Sequence, residues 1–111
     1  MPTDSILYTV GEGVATITLN RPDKLNSLDA ALLRELFHAI LAVDSDPSVR
    51  CIILTGAGEK AFVAGADINE LAQQNPVNGK EFSLYGQSVF HLLETIGKPS
   101  ICAINGFALG G

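Results

Sequence analysis

No stretch of this sequence concentrates basic side chains. Lys and Arg number 7 against 12 Asp and Glu, a formal net charge of −5, and no basic cluster offers the footprint that a phosphate backbone requires. Nucleic acid is therefore excluded as an expected partner. Long apolar runs are missing too: residues 39–43 and 51–54 fall far short of the ~20 needed to cross a bilayer, so no membrane association is expected. Cysteine is scarce. Cys51 and Cys102 each sit inside a β-branched apolar run, which suits buried, reduced thiols better than a bridge or a metal pair. His38 and His91 have no second His, Cys or paired carboxylate at ligand spacing, so no metal site is expected. Met1-Pro2-Thr3-Asp4-Ser5 lacks the basic, apolar and small-residue regions of a secretory leader, and the expected location is cytoplasmic. With 111 residues, 47% of them hydrophobic, the chain holds at most one soluble globular domain.

The local patterns alternate between strand and helix. Residues 6–10 and 14–19 are β-prone runs around Gly11-Glu12-Gly13 and predict a hairpin. Residues 20–27 are dense in turn formers, and Pro22 pushes Arg21 out of helical angles. From about Asp29, Leu33, Leu36, Phe37, Ile40 and Leu41 recur at helical spacing, with Arg34, Glu35 and His38 opposite. This helix ends near Asp44 to Pro47. Residues 50–55 form a short apolar run stopped by Gly56, the pattern of a central strand covered on both faces. Asp67 and Glu70 supply a capping box for a short helix from Ile68 to about Gln73, and Asn78 with Glu81 repeats the device. The stripe of Phe82, Tyr85, Val89, Leu92, Leu93 and Ile96 then predicts a longer helix stopped by Gly97 and Pro99. Residues 100–105 are again β-like, and a glycine-rich apolar tail follows without a stop signal. The chain reads as cut there. The order ββ, α, β, α, α, β predicts an α/β architecture; the one candidate linker, 73–79, is too short to separate domains.

Two places could carry chemistry. Gly56-Ala57-Gly58-Glu59-Lys60-Ala61 has the spelling of a dinucleotide loop, but such a loop must open directly into a helix, and here Phe62 to Ala66 intervenes. Nicotinamide binding is not expected. More informative are the small residues of 60–71 and 106–111, which let a ligand approach backbone N–H groups at a strand end and a helix start. Two such segments after two strands could face one carbonyl oxygen together. On spacing alone they also read as tight βα connections.

Asn20-Arg21-Pro22 with Leu25-Asn26-Ser27-Leu28, then Lys60-Ala61-Phe62 through Gly65-Ala66-Asp67-Ile68, then Lys98-Pro99 with Ala103-Ile104-Asn105-Gly106-Phe107-Ala108-Leu109-Gly110-Gly111 together resemble the enoyl-CoA hydratase/isomerase (crotonase) family. The resemblance spans residues 1–111 but only the amino-terminal part of the family's domain. It implies a crotonase-like fold, a spiral of ββα units, acting on an acyl-CoA thioester. In the family two backbone N–H groups hold the thioester oxygen as it becomes enolate-like, and the matching positions are Ala66 and Gly111. The resemblance also places Lys24, Leu25, Ala64, Asp67, Ile68 and Asn69, with Ala66 and Gly111, against the substrate and its CoA portion. It implies no metal and no cofactor beyond the CoA of the substrate, and a parent protein that is a homotrimer or a dimer of trimers.

The family's hydratases use two glutamates as acid and base, both downstream of the glycine that Gly111 matches. The carboxylates present have plainer readings: Asp67 and Glu70 as a capping pair, Glu35 and Asp44 on a solvated helix face, Glu59 in a loop. Arg21 and Lys24 either meet CoA phosphates or sit in a solvated loop. Tyr85, Phe82 and Phe90 read first as packing and second as acyl-pocket walls, and His91 as a core-edge or subunit contact. The leading expectation is a hydratase-like lyase that adds water across the 2,3 double bond of a trans-2-enoyl-CoA in fatty acid metabolism. Its rivals are another reaction on the same scaffold, such as isomerisation, decarboxylation or dehalogenation, and a non-catalytic fragment or acyl-CoA-binding remnant. The 111-residue chain alone is expected to be inactive.

Overall fold

In the computed structural model, which describes residues 4–111, the hairpin is the first element. Strands β1 (Ile6–Gly11) and β2 (Val14–Leu19) pair antiparallel, with Gly11 opposite Val14. The turn residues Glu12 and Gly13 both have positive φ, the two-residue geometry whose twist matches the flanking strands. The leader reading falls largely on residues 1–3, which lie outside the described residues. Strand β3 (Cys51–Gly56) adds parallel to β2, and β5 (Ser100–Ala103) adds parallel to β3, giving the sheet order β1-β2-β3-β5. Strand β3 is thus interior, as its apolar run predicts.

The helices pack on one side of this sheet. Helix α1 (Ala30–Ser45) brings Leu32, Leu33, Leu36, Ile40 and Val43 onto Ala15, Ile17 and Leu19 of β2 and Ile52 and Leu54 of β3. Helix α3 (Pro76–Thr95) closes the core with Val89, while Phe82, Tyr85, Phe90, Leu92 and Leu93 pack at its edge. One member of the α1 stripe was misjudged from the periodicity and two buried residues were missed: Leu41 is exposed, and Leu32 and Val43 are buried. The expectation that β3 is covered on both faces is also corrected, because Ile52 and Leu54 are buried whereas Cys51, Ile53 and Thr55 are only half-buried. The cysteines follow suit. Cys51 lies on the uncovered face and is half-buried; Cys102 pairs with Leu54 on the outermost strand of the sheet and is exposed. Neither is a core thiol.

Capping departs from the sequence in an instructive way. Asp29 caps α1 by accepting from Leu32 N–H at 2.8 Å. Asp67 caps the short α2 (Ile68–Ala72) through Glu70 N–H at 3.2 Å, but Glu70 does not return the bond. The Asp67 N–H already donates to Leu28 O at 2.8 Å, so the Glu70 carboxylate accepts instead from Ala30 N–H, at 3.1 and 3.2 Å, and completes the start of α1. The reciprocal box lies at α3, three residues earlier than expected: Asn75 is the cap and Asn78 its partner. The candidate linker is therefore mostly the beginning of a helix. At its far end α1 is closed by Lys98, whose Nζ donates to Val43 O and Asp46 O at 2.5 and 2.7 Å.

Three short elements escape the periodicity. Pro22–Lys24 forms one 3-10 turn inside the expected loop, and β4 (Ala61–Val63) pairs parallel with β6 (Phe107–Ala108) in a separate two-stranded sheet. The Gly56-Ala57-Gly58 loop consequently opens into a strand. Among the described residues no helix is long and apolar enough to cross a membrane, and no group of His, Cys, Asp or Glu is placed to hold a metal ion.

Beyond the helical cover, Ile101, Ile104, Phe107 and Leu109 are 56%, 62%, 64% and 58% exposed. Contiguous apolar side chains on a strand edge invite pairing with other chains. The isolated 111-residue chain is expected to self-associate with rising concentration in sedimentation velocity, and Ile101→Lys with Ile104→Lys to reduce this. A monomer with a sharp two-state unfolding transition would overturn the expectation.

Candidate functional site

The β4–β6 pairing draws the two small-residue segments together. Phe107 N–H donates to Lys60 O at 3.1 Å and Leu109 N–H to Val63 O at 2.9 Å. Past these bonds the chains touch backbone to backbone. Gly65 and Gly110 both have positive φ, of 90° and 60°, a region that other residues adopt at a cost. A Cβ on Gly65 would stand 3.1 Å from Leu109 O, and one on Gly110 3.3 Å from Gly65 Cα. Glycine is required here by both conformation and space.

Ala66 follows directly. It forms an isolated parallel bridge with Leu28, made by Leu28 N–H to Gly65 O and Asp67 N–H to Leu28 O, each 2.8 Å. In such a bridge the flanked residue's own N–H and C=O point away from the partner strand. Among the described residues neither Ala66 N–H nor Gly111 N–H meets an acceptor. Both residues line one cavity of about 320 Å³, whose walls include Leu28, Leu33, Phe82 and Phe90. Gly111 is held close, since a Cβ there would meet Leu28 Cδ1 at 2.5 Å.

A second depression, of about 210 Å³, adjoins at Ala66 and is lined by Lys24, Leu25, Ser27, Ala64, Asp67, Ile68 and Asn69. The structure thus gathers the site residues expected from sequence into two adjoining hollows, with Gly111 in the apolar one and Ala66 in both. The Ala64 N–H donates to Leu25 O at 3.1 Å, which pins the 20–27 loop against the strand end. Phe82 and Phe90 are walls of the cavity as well as packing residues, whereas Tyr85 packs against Phe37 at 6.2 Å between ring centroids. His91 is exposed. Among the described residues no Asp or Glu lines the cavity.

The residues that sequence reasoning missed are those that hold the loop. The Arg21 guanidinium is bonded within the protein. Its Nη1 donates to Ser27 O at 2.6 Å and lies 3.3 Å from Asp29 Oδ2, while Nη2 donates to Asp67 Oδ2 at 3.0 Å. Asn26, fully buried with φ of 56°, accepts from Arg21 N–H at 2.9 Å and donates to Ala57 O and Ala61 O at 3.0 and 2.8 Å. The signals for them were the density of turn formers around Pro22 and their place in the motifs that carry the family resemblance, which indicate a loop and not its fastenings.

The Arg21 guanidinium, followed by the Glu70 backbone N–H, holds the Asp67 carboxyl below its ordinary value of 3.8 against the opposing effect of burial. A carboxyl whose pKa is lower in the folded state adds stability that is full above the unfolded value and is lost as pH falls toward the depressed one. Stability should therefore decline as pH drops below about 4, and Asp67→Asn should flatten that decline in urea unfolding curves recorded between neutral and acidic pH. An unchanged acid slope would show that Asp67 does not contribute.

A family model described as enoyl-CoA hydratase/isomerase matches residues 9–111. Over 98 residues the chain is 50% identical to the short-chain-enoyl-CoA hydratase of Clostridium acetobutylicum, covering 88% of this chain and 38% of that protein. It is 43% identical over 111 residues to the crotonyl-CoA hydratase of Syntrophomonas wolfei, covering 100% and 43%. The crystal structure of enoyl-CoA hydratase from Bacillus anthracis superimposes with a TM-score of 0.91 at 38% identity, over 94% of this chain and 41% of that one. The chain spans about two fifths of the length of the curated relatives it matches. Its α/β arrangement is that of the amino-terminal portion of the crotonase-like fold, and the chain belongs to the enoyl-CoA hydratase/isomerase family.

Proposed function

We propose that this chain supplies the thioester-binding part of an enoyl-CoA hydratase-like lyase, which adds water across the 2,3 double bond of a trans-2-enoyl-CoA. The observation that carries the reading is a pair of residues, Ala66 and Gly111, that line one apolar cavity and whose N–H groups meet no acceptor among the described residues. Donors fixed in place before reaction stabilise an oxyanion as charge develops on it, and so accelerate the step rather than merely bind substrate. The acyl chain occupies the apolar cavity. The pantetheine and adenine portions follow the hollow of Lys24, Leu25, Ala64, Asp67, Ile68 and Asn69.

Hydration also needs a proton donor and a base within reach of the water and the α-carbon. Among the described residues no Asp or Glu side chain lines the cavity, and on this reading the acid and base are the two glutamates that the family resemblance implies downstream of Gly111. On this reading residues 1–111 form the amino-terminal part of one crotonase-like domain, in a cytoplasmic parent that is a homotrimer or a dimer of trimers. Addition of water is redox-neutral, and two backbone donors do for the carbonyl what a Lewis acid would, so the chemistry calls for no metal and no cofactor besides the substrate's own CoA. The same missing carboxylate favours a second reading for the chain by itself, an acyl-CoA-binding remnant.

The experiment compares the 111-residue chain with the product of the full reading frame, following loss of the enoyl absorbance of crotonyl-CoA. Hydration by the full product alone supports the proposal. Double-bond migration without hydration would make the parent an isomerase, and substantial turnover by the 111 residues alone would overturn the division of the site.

A further inference from the structure

We propose that Arg21 is a positioning residue for the oxyanion-binding N–H of Ala66, acting through a clamp that ties the starts of α1 and α2 together. The inference rests on the proposed role of that N–H and goes beyond it, because Arg21 is set back from the cavity and is absent from both linings described above.

The clamp has two arms running in opposite directions. One is Arg21, whose fork reaches the cap of α1 at Asp29 and the cap of α2 at Asp67. The other is Glu70 of α2, which accepts from the first N–H of α1 at Ala30. Between the arms lies the bridge of Leu28 with Ala66, the only backbone pairing that fixes the Ala66 peptide among the described residues. Two backbone bonds are a weak hold for a group whose direction matters. The arms supply what the bridge lacks, since they prevent residues 65–67 from rotating or receding relative to Leu28. Arg21 is itself fastened: its N–H donates to buried Asn26 and its C=O accepts from Lys24 and Asn26 N–H, both at 2.8 Å. A guanidinium is needed because a planar fork reaches two carboxylates and a carbonyl at once, whereas an ammonium acts as a point charge.

The test uses the protein from its full reading frame, with Arg21→Lys and Arg21→Met. Amide hydrogen exchange is read at Leu28 and Asp67, whose N–H groups make the bridge, and at Ile52, whose N–H donates to Pro99 O across the sheet. The clamp predicts exchange about tenfold or more faster at Leu28 and Asp67 with Ile52 nearly unchanged, since only a local opening is promoted. It further predicts a kcat for crotonyl-CoA hydration lower by roughly 10- to 100-fold, the scale of a small misplacement at a reacting centre, with the affinity for non-reacting butyryl-CoA nearly kept. Uniformly faster exchange, or none, would reduce Arg21 to a general stabiliser and overturn the proposal. So would full kcat in Arg21→Lys. If the unaltered protein hydrates no enoyl-CoA, the functional reading fails and the exchange pattern still decides the clamp; should Arg21→Met not fold, Arg21→Lys carries the same comparison.

Discussion

Asn26→Ala is expected to destabilise the protein by about 3 to 4 kcal/mol, from buried groups left without partners and a left-handed backbone that alanine adopts poorly. The side chain is fully buried, and its amide is used at both ends: Oδ1 for Arg21 N–H, Nδ2 for Ala57 O and Ala61 O. Removing it strands a donor and weakens the hold on two acceptors in one step. Asn26→Asp is nearly isosteric and should do no better, because it turns an oxygen toward two carbonyl oxygens. A folded protein has only some 5 to 15 kcal/mol in hand, so in the full-length protein both variants should show a large fall in the urea midpoint. Gly56→Ala should act on the same knot, as its Cβ would stand 2.8 Å from Asn26 Nδ2 and 2.6 Å from Phe62 O. A wild-type midpoint in Asn26→Ala would remove Asn26 from the account.

The second large effect concerns chemistry rather than folding. Replacing the Gly111 peptide N–H by an ester oxygen, through incorporation of glycolic acid in the full-length protein, is expected to lower kcat for hydration about 100- to 1000-fold. That corresponds to roughly 3 to 4 kcal/mol of lost barrier stabilisation, with KM little altered because the bond matters most in the transition state. Gly111 is the cleaner of the two positions. The ester would weaken the Gly110 carbonyl, which accepts no hydrogen bond among the described residues, whereas at Ala66 it would weaken Gly65 O, which accepts from Leu28 N–H at 2.8 Å. Stability should therefore hold at Gly111 while turnover collapses. Equal loss of kcat and of folded protein would count against an oxyanion role.

Elements with a repeating pattern were legible in the sequence because periodicity is a sum over many residues. The sixteen positions of Ala30–Ser45 gave a helix and its buried face to within a few side chains; the three of Ala61–Val63 and the two of Phe107–Ala108 gave nothing, since a pairing that short has no period to detect. Yet those two strands bring Gly65 and Gly110 into contact. The small residues of 60–71 and 106–111 marked the two segments, and the resemblance of whole motifs named the individual site residues within them. Partner choice was the least legible property. Asp67 and Glu70 have the spelling of a box, and only the fold reveals that the Asp67 N–H is taken by Leu28, freeing Glu70 for Ala30. Arg21 shows the same limit: its two carboxylates lie 8 and 46 positions onward, beyond any local rule. The cysteines misled because a β-branched run reports a strand but neither which of its faces is covered, which decides Cys51, nor that the strand is the outermost of its sheet, which decides Cys102.

The parallel register of β3 with β5 also has a consequence for synthesis on the ribosome. Ile52 pairs with Ser100, so 48 further residues must be made before that edge of β3 can be closed. At 5 to 20 residues per second this takes roughly 2 to 10 s, during which the nascent strand has β2 on one edge and nothing on the other. Parallel pairing allows no shortcut, because a tight turn cannot join such strands. The nascent chain should therefore depend on a chaperone or on rapid docking of α1 over this interval. Synonymous codons that slow translation between residues 57 and 99 should lower the soluble yield more than the same codons placed before β3.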